Sequence, residues 1–189
     1  LSLEDALSVT AKTARALGQL HQARLIHKDV NPSNIVWNQQ TGDVKLIDLG
    51  IATELSRERP EVLSPNVLEG TLAYMSPEQT GRMNRALDYR TDLYSMGATL
   101  YELLCGQRPF DTSDAVELVH CHLARVPAPA HVVNPAVPAI LAELTARLMA
   151  KDAEDRYQSA VAVAEDLERA LDSLRERGRV TDFPLGEGD

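Results

Sequence analysis

Leu3, Leu7, Ala14, Leu17 and Leu20 recur at helical spacing through residues 3–24 with polar residues between them, so this stretch is predicted to be an amphipathic helix. Ser2 stands where an N-cap belongs, with Asp5 three residues later. The periodicity breaks at "HKDVNPSN" (27–34), where a proline among Asx residues disfavours regular helix. Two short apolar, β-branched runs follow, "IVWN" (35–38) and "VKLI" (44–47); Gly42 and Asp43 in the intervening "QQTGD" predict a hairpin turn. Each arm is four residues long, so the chain goes out and returns the same distance. Asn34 and Asp48 are therefore expected side by side at the hairpin's open end.

Residues 51–89 carry Pro60, Pro65 and Pro77 among scattered charges and only short apolar runs, the pattern of a long loop, ordered or partly so. Loops of that length usually carry function. The segment "TDLYSMGATLYELLC" (91–105) is instead apolar nearly all round, as a helix at the centre of a domain reads, and Gly106 can end it in a left-handed cap. Further helices are predicted near 113–125, 139–150 and 158–176, with a proline-rich stretch from Pro127 to Pro138. Val163, Leu167, Leu171 and Leu174 form the buried stripe of the last. After Arg175 the periodicity is lost, so 177–189 is expected to be a linker or tail, in which order fades. The predicted fold is mainly α with a small β-hairpin and no internal repeat.

Composition narrows the function classes. At 189 residues, 44% hydrophobic and 25% charged, the chain fits one ordinary domain with a substantial core. A formal net charge of −9 argues against nucleic-acid binding and against adhesion to anionic membranes. Cys105 and Cys121 supply neither a disulfide framework nor a four-ligand metal pattern, which suits a reducing cytoplasm. His120, Cys121 and His122 are adjacent on a predicted helix and point in different directions, so a packed or solvated face is expected rather than a metal site. No apolar run approaches the roughly 20 residues needed to cross a bilayer, Glu102 interrupting the best candidate, so no membrane insertion is expected. No secretory leader is read. The chain opens "LSLEDAL" without an initiator Met and reads as a piece of something longer.

Asp29, Asn34 and Asp48 converge in this scheme. A carboxylate able to take a hydroxyl proton, beside an amide and a second carboxylate offering hard oxygen ligands, suits phosphoryl transfer from a magnesium nucleotide. In wording, "HKDVNPSN" resembles the catalytic loop of eukaryotic-like serine/threonine protein kinases, and "DLG" (48–50) their magnesium-binding triplet. "GTLAYMSPE" (70–78) resembles the end of the activation segment, and "DLYSMG" (92–97) the start of the central helix. The resemblance covers residues 1–176, the C-terminal lobe of the kinase fold. The wording is most similar to the kinase module of bacterial multi-sensor hybrid (serine/threonine plus histidine) kinases, in which ATPase-like and sensor domains follow.

The resemblance implies ATP and Mg²⁺ as cofactors and a protein substrate. It implies Asp29 as catalytic base, Asn34 and Asp48 as Mg²⁺ ligands, and Val36 beneath the adenine ring. Thr71 would hydrogen-bond near Asp29 and shape the substrate groove. Asp92 would accept hydrogen bonds from the catalytic-loop backbone, His27 would pack into the core, and Glu78 and Arg156 would form a structural ion pair. Departures stand out as well. Asn31 replaces a lysine, keeping a donor but losing a charge beside the transferring phosphate; Lys28 replaces an arginine and loses its planar fork; Leu49 replaces phenylalanine. The N-terminal lobe is absent from this chain, since nothing reads as a glycine-rich phosphate loop, a nucleotide-binding lysine or its glutamate partner. The lobe and the downstream domains are therefore expected partners within a longer protein. Two alternatives stay open: a pseudokinase scaffold, favoured by Asn31, and a small-molecule phosphotransferase of related fold, disfavoured by "GTLAYMSPE" and "DLYSMG". Ser56 and Ser64 are loop serines open to phosphorylation or simply solvated.

Overall fold

The computed structural model describes residues 1–48, 53–54, 72–83 and 85–189. Helix α1 spans Leu3–Gln22, and the Ser2 hydroxyl accepts the Asp5 N–H at 3.0 Å, completing the predicted cap. Its buried face carries Ala6, Leu7, Ala14 and Leu17. Strand β1 (Leu25–Ile26) pairs antiparallel with β4 (Thr53–Glu54). Between them lies the hairpin of β2 (Ile35–Trp37) and β3 (Val44–Leu46), in the register Ile35–Leu46, Val36–Lys45, Trp37–Val44. Gly42 has a φ of +74°, the left-handed backbone this turn needs. The Lys12 ammonium on α1 donates to the Gly42 carbonyl at 2.5 Å, anchoring the turn to the helical body.

Helix α2 (Arg90–Cys105) is the centre of the fold: every residue from Thr91 to Tyr101 is buried. It ends at Gly106, φ +71°, as its sequence predicts. Gly97 has a packing role. A Cβ there would lie 2.7 Å from the Leu148 Cβ, so only glycine lets α2 approach the helix carrying Leu148 this closely.

Helix α3 (Ala115–Ala124) starts later than predicted because Asp114 caps it, its carboxylate accepting the N–H groups of Val116 and Glu117. The short α4 (Ala130–Val133) and α5 (Ala139–Leu148) follow, and α6 (Ala160–Arg177) packs along α1. The protein is thus mainly helical with a small antiparallel hairpin, as expected. No helix among the described residues is long and apolar enough to cross a membrane.

The expectation that order fades after Arg175 is corrected. α6 continues to Arg177 and is closed by Gly178, and the following residues pack back, with Val180, Phe183 and Leu185 against the core. Loss of periodicity marked the loss of helix, while the compensating contacts are long-range and leave no periodic trace.

Candidate active site

The loop between β1 and β2 is fixed from below by Asp92 in the first turn of α2. Its fully buried carboxylate accepts the backbone N–H groups of His27 (2.9 Å) and Lys28 (2.7 Å). His21, near the end of α1, donates from Nε2 to the same carboxylate at 2.9 Å. These bonds hold Lys28 at a φ of +69°, a strained conformation for a side-chain-bearing residue. His27 is fully buried; its Nε2 lies 3.0 Å from the Ile47 carbonyl and its Nδ1 accepts the Asp29 N–H at 3.3 Å. That pair of partners sets the tautomer, with the proton on Nε2.

Asp29 is half-buried, and two amides grip its carboxylate. Asn31 Nδ2 donates to Oδ1 at 2.7 Å, and Asn34 Nδ2 donates to Oδ2 at 2.9 Å and to the Asp29 carbonyl at 2.8 Å. Asn31 also caps the 3-10 turn Pro32–Asn34, its Oδ1 accepting the Ser33 N–H at 2.9 Å. Its side chain therefore acts as a clamp on Asp29, a job that the comparison with a lysine at this position did not suggest. The Thr99 hydroxyl of α2 reaches the Val30 carbonyl at 3.4 Å, a second tie from the central helix to the loop.

The hairpin brings Asp48 alongside. Ile47 N–H donates to the Asn34 carbonyl at 2.9 Å, extending the ladder by one pair and placing Asp48 one residue beyond. Asp48 is exposed and has a φ of +64°. Val36, 48% exposed, lies on the open hairpin. Thr71, Leu49, Ser56 and Ser64 lie outside the described residues.

The residues after Thr71 resume as a buried 3-10 turn, Leu72–Tyr74. Gln79 ties this segment to the loop between β1 and β2: its Nε2 donates to the Lys28 carbonyl at 2.8 Å and its Oε1 accepts the Ser76 N–H at 2.9 Å. Glu78 and Arg156 form a bidentate pair whose side chains are 3% and 0% exposed. The remaining guanidinium donors go to the carbonyls of Ala150, Arg90 and Lys151, so the buried cation is fully satisfied.

Beneath this pair the Tyr94 ring lies 5.0 Å from the Arg156 guanidinium carbon. The Tyr94 hydroxyl is within 3.0 Å of His122 Nδ1 and 3.3 Å of the Lys151 ammonium. Burial raises the Tyr94 pKa, lowers that of Lys151 to about 8, and, with help from Lys151, lowers that of His122 to about 4. His120 is exposed while Cys121 and His122 are buried.

His21, Gln79 and Thr99 are supporting residues that sequence reasoning missed. His21 lies in a helical stretch with no local sign of an acceptor 71 residues away. Gln79 directly follows the "SPE" triplet, and that adjacency was the available signal.

The donor set suits magnesium. Asn34 turns its Nδ2 toward Asp29, which directs its amide oxygen elsewhere, and Asp48 adds a carboxylate: hard oxygens of the kind Mg²⁺ accepts alongside phosphate and water.

A helical lobe with a hairpin at its edge, a doubly clamped aspartate in a loop pinned to the central helix, and a buried Glu–Arg pair together define a protein-kinase C-terminal lobe. The family described as "Protein kinase domain" matches residues 1–167, and the chain belongs to that family. Among curated proteins it is 35% identical over 167 residues to "Probable serine/threonine-protein kinase PknB" of Bifidobacterium longum, covering 88% of this chain and 24% of that protein. It is 35% identical over 164 residues to "Serine/threonine-protein kinase PknB" of Mycobacterium tuberculosis (87% and 26%), and 36% identical over 168 residues to "Serine/threonine-protein kinase Pkn1" of Myxococcus xanthus (87% and 24%). These bacterial relatives place the chain among the eukaryotic-like serine/threonine kinases. The chain spans about a quarter of their length.

Proposed function

We propose that residues 1–176 form the C-terminal lobe of a serine/threonine protein kinase that transfers the γ-phosphoryl group of ATP to a protein hydroxyl, with residues 177–189 a following segment that packs back on it. The observation that carries the reading is the Asp29 carboxylate, gripped by Asn31 and Asn34 in a loop that Asp92 pins to the centre of the fold. Asp29 orients the substrate hydroxyl and receives its proton as the new oxygen–phosphorus bond forms and the bond to the ADP oxygen breaks. Asn34 and Asp48 hold Mg²⁺. Bound magnesium neutralises phosphate charge. Val36 contributes to the floor beneath adenine, and Thr71 shapes the substrate groove. Asn31 serves the reaction by orienting Asp29, which offsets part of what the missing lysine charge would supply. His27, Asp92, Glu78 and Arg156 hold this machinery in place.

An N-terminal lobe completes the nucleotide site, and the chain works within a longer cytoplasmic signalling protein of the multi-sensor hybrid type, with ATPase-like and sensor domains downstream. The lobe-complete protein, given Mg²⁺ and γ-labelled ATP, is expected to label protein on serine and threonine, read by phosphoamino-acid analysis. Label found only on a small molecule would overturn the substrate class. No transfer at all would support a scaffold.

A further inference from the structure

Residues 178–189 contain neither helix nor strand, yet they make a dense set of specific contacts. The Asp189 side chain accepts the backbone N–H groups of Gln158 (2.6 Å) and Ser159 (3.0 Å) through Oδ1, and Arg147 Nη2 (2.8 Å) through Oδ2. Arg147 Nη1 donates to the Leu185 carbonyl at 3.1 Å. The Gly186 N–H donates at 2.7 Å to the Asp166 carboxylate, which also accepts the buried Tyr157 hydroxyl. Phe183 packs against the core with the Arg169 guanidinium carbon 5.1 Å from its ring centre. Gly186 has a φ of +73°, and a Cβ there would run into the Arg147 guanidinium.

The loop this segment seats upon carries Arg156. Gln158, whose N–H Asp189 accepts, donates from Nε2 to the carbonyls of Arg156 (2.7 Å) and Ala153 (3.1 Å) and accepts Arg90 Nη1 at 2.8 Å. Arg156 in turn grips Glu78 and the Arg90 carbonyl. A continuous set of hydrogen bonds therefore runs from the docked segment to the end of the activation segment. The outer step, from Asp189 to the Gln158 and Ser159 N–H groups, is exposed; the Gln158 contacts with Arg156 and Arg90 are half-buried, and the Arg156–Glu78 pair is buried.

We propose that residues 178–189 are an intramolecular docking segment whose seating on α5 and α6 orders the Arg156 loop and, through Arg156 and Glu78, the activation-segment end at 72–80. The surface is built for a peptide of the form Phe-x-Leu-Gly-x-Gly-Asp. Arg147 and Arg169 receive its acidic and aromatic groups, the Asp166 carboxylate receives a glycine N–H, and the Gln158 and Ser159 N–H groups just before α6 receive its aspartate side chain. Unseating the segment removes Asp189 Oδ1, the one oxygen that accepts both the Gln158 and the Ser159 N–H, and releases Gln158 from its fixed position. The proposal concerns order, not catalysis, and stands apart from the kinase reading.

Hydrogen exchange on the whole 189-residue chain tests it. Asp189→Ala and, separately, Gly186→Ala are expected to speed amide exchange about tenfold or more in 178–189, in 153–159 and in 72–80, while the α1 amides keep their wild-type rates. Glu187→Ala removes only a half-exposed pair with Arg169 and should leave all four regions unchanged. Faster exchange confined to 178–189 would overturn the coupling. For the milder Asp189→Asn, which keeps an acceptor oxygen, the same selective pattern at smaller amplitude is required; equal acceleration in α1 would contradict the proposal.

Discussion

Glu78 and Arg156 stand 78 residues apart in sequence and meet as a bidentate pair, with Nη1–Oε1 at 2.7 Å and Nη2–Oε2 at 2.9 Å, both side chains buried. All five guanidinium N–H groups are used, on one carboxylate and three carbonyls. Arg156→Ala leaves a buried carboxylate and three carbonyls without their donor, so it should destabilise the protein by about 3–5 kcal/mol. Arg175→Ala, which removes a half-exposed partner of Glu4, should cost only about 0–1 kcal/mol. Urea midpoints of the two variants give the comparison. Equal midpoints would show that the Glu78–Arg156 pair does not hold the segment end.

Asp92 acts through the backbone N–H groups of His27 and Lys28 in the loop between β1 and β2. Asp92→Ala strands two buried N–H groups, those of His27 and Lys28, at roughly 1–3 kcal/mol each. Lys28 should then leave its positive φ, and Asp29 should lose its placement. The expected outcome is lowered stability together with loss of phosphoryl transfer in the lobe-complete protein. Retained activity with lowered stability would separate Asp92 from the chemistry.

Asn31 presents a specific trade. A lysine here would add positive charge near the transferring phosphate, but it would remove the Asn31–Asp29 bond and the cap on Ser33. Loss of such a cap costs about 1 kcal/mol. Asn31→Lys should therefore lower stability by about that amount and fail to raise the transfer rate. A faster enzyme would show that charge at this position outweighs orientation.

His122 gives the pH dependence. Burial, with the Lys151 charge nearby, holds its imidazole down at about 4 against an ordinary 6.5. Between those values the unfolded chain binds a proton that the folded chain refuses, so stability falls as pH drops from 6.5 to about 4. At 1.36 kcal/mol per pKa unit the contribution is about 3 kcal/mol. His122→Gln removes the titration. Across this window the wild type should lose about 3 kcal/mol more than the variant in denaturant titrations; parallel curves would exclude His122 as the cause.

The legible parts of the fold were those encoded by short spacing. Equal four-residue arms around Gly42 predicted Asn34 and Asp48 side by side at the open end; the ladder instead pairs Asn34 with Ile47, so Asp48 follows one residue beyond, a one-residue offset that arm lengths alone do not reveal. The apolar circumference of 91–105 predicted the central helix, and the resemblance of "DLYSMG" and "GTLAYMSPE" to kinase motifs pointed to Asp92 and to the Glu78–Arg156 pair. Illegible were contacts whose partners lie far apart and carry no pattern of their own. His21 reaches Asp92 across 71 residues and Gln79 reaches Lys28 across 51. The segment 178–189 is held by the Asp189 carboxylate, which accepts three donors, and by the Gly186 N–H, all to distant partners, so nothing periodic announced it.

Because the chain carries the catalytic loop and the proposed metal ligands but reads as lacking the other wall of a nucleotide site, it should bind Mg·ATP only weakly by itself. Calorimetric titration of the 189-residue chain checks this. Low-micromolar affinity would mean that the site is complete without a second lobe.

Asp29 bears the central claim, and its substitution by asparagine tests it most directly. The change keeps the shape of the side chain but removes the group that takes the hydroxyl proton. In the lobe-complete protein with Mg·ATP, Asp29→Asn should reduce phosphate incorporation into protein by about 10²–10⁴-fold while the fold, read by its urea midpoint, is retained. Equal incorporation by wild type and Asp29→Asn would contradict the assignment of Asp29 as the base of a working kinase.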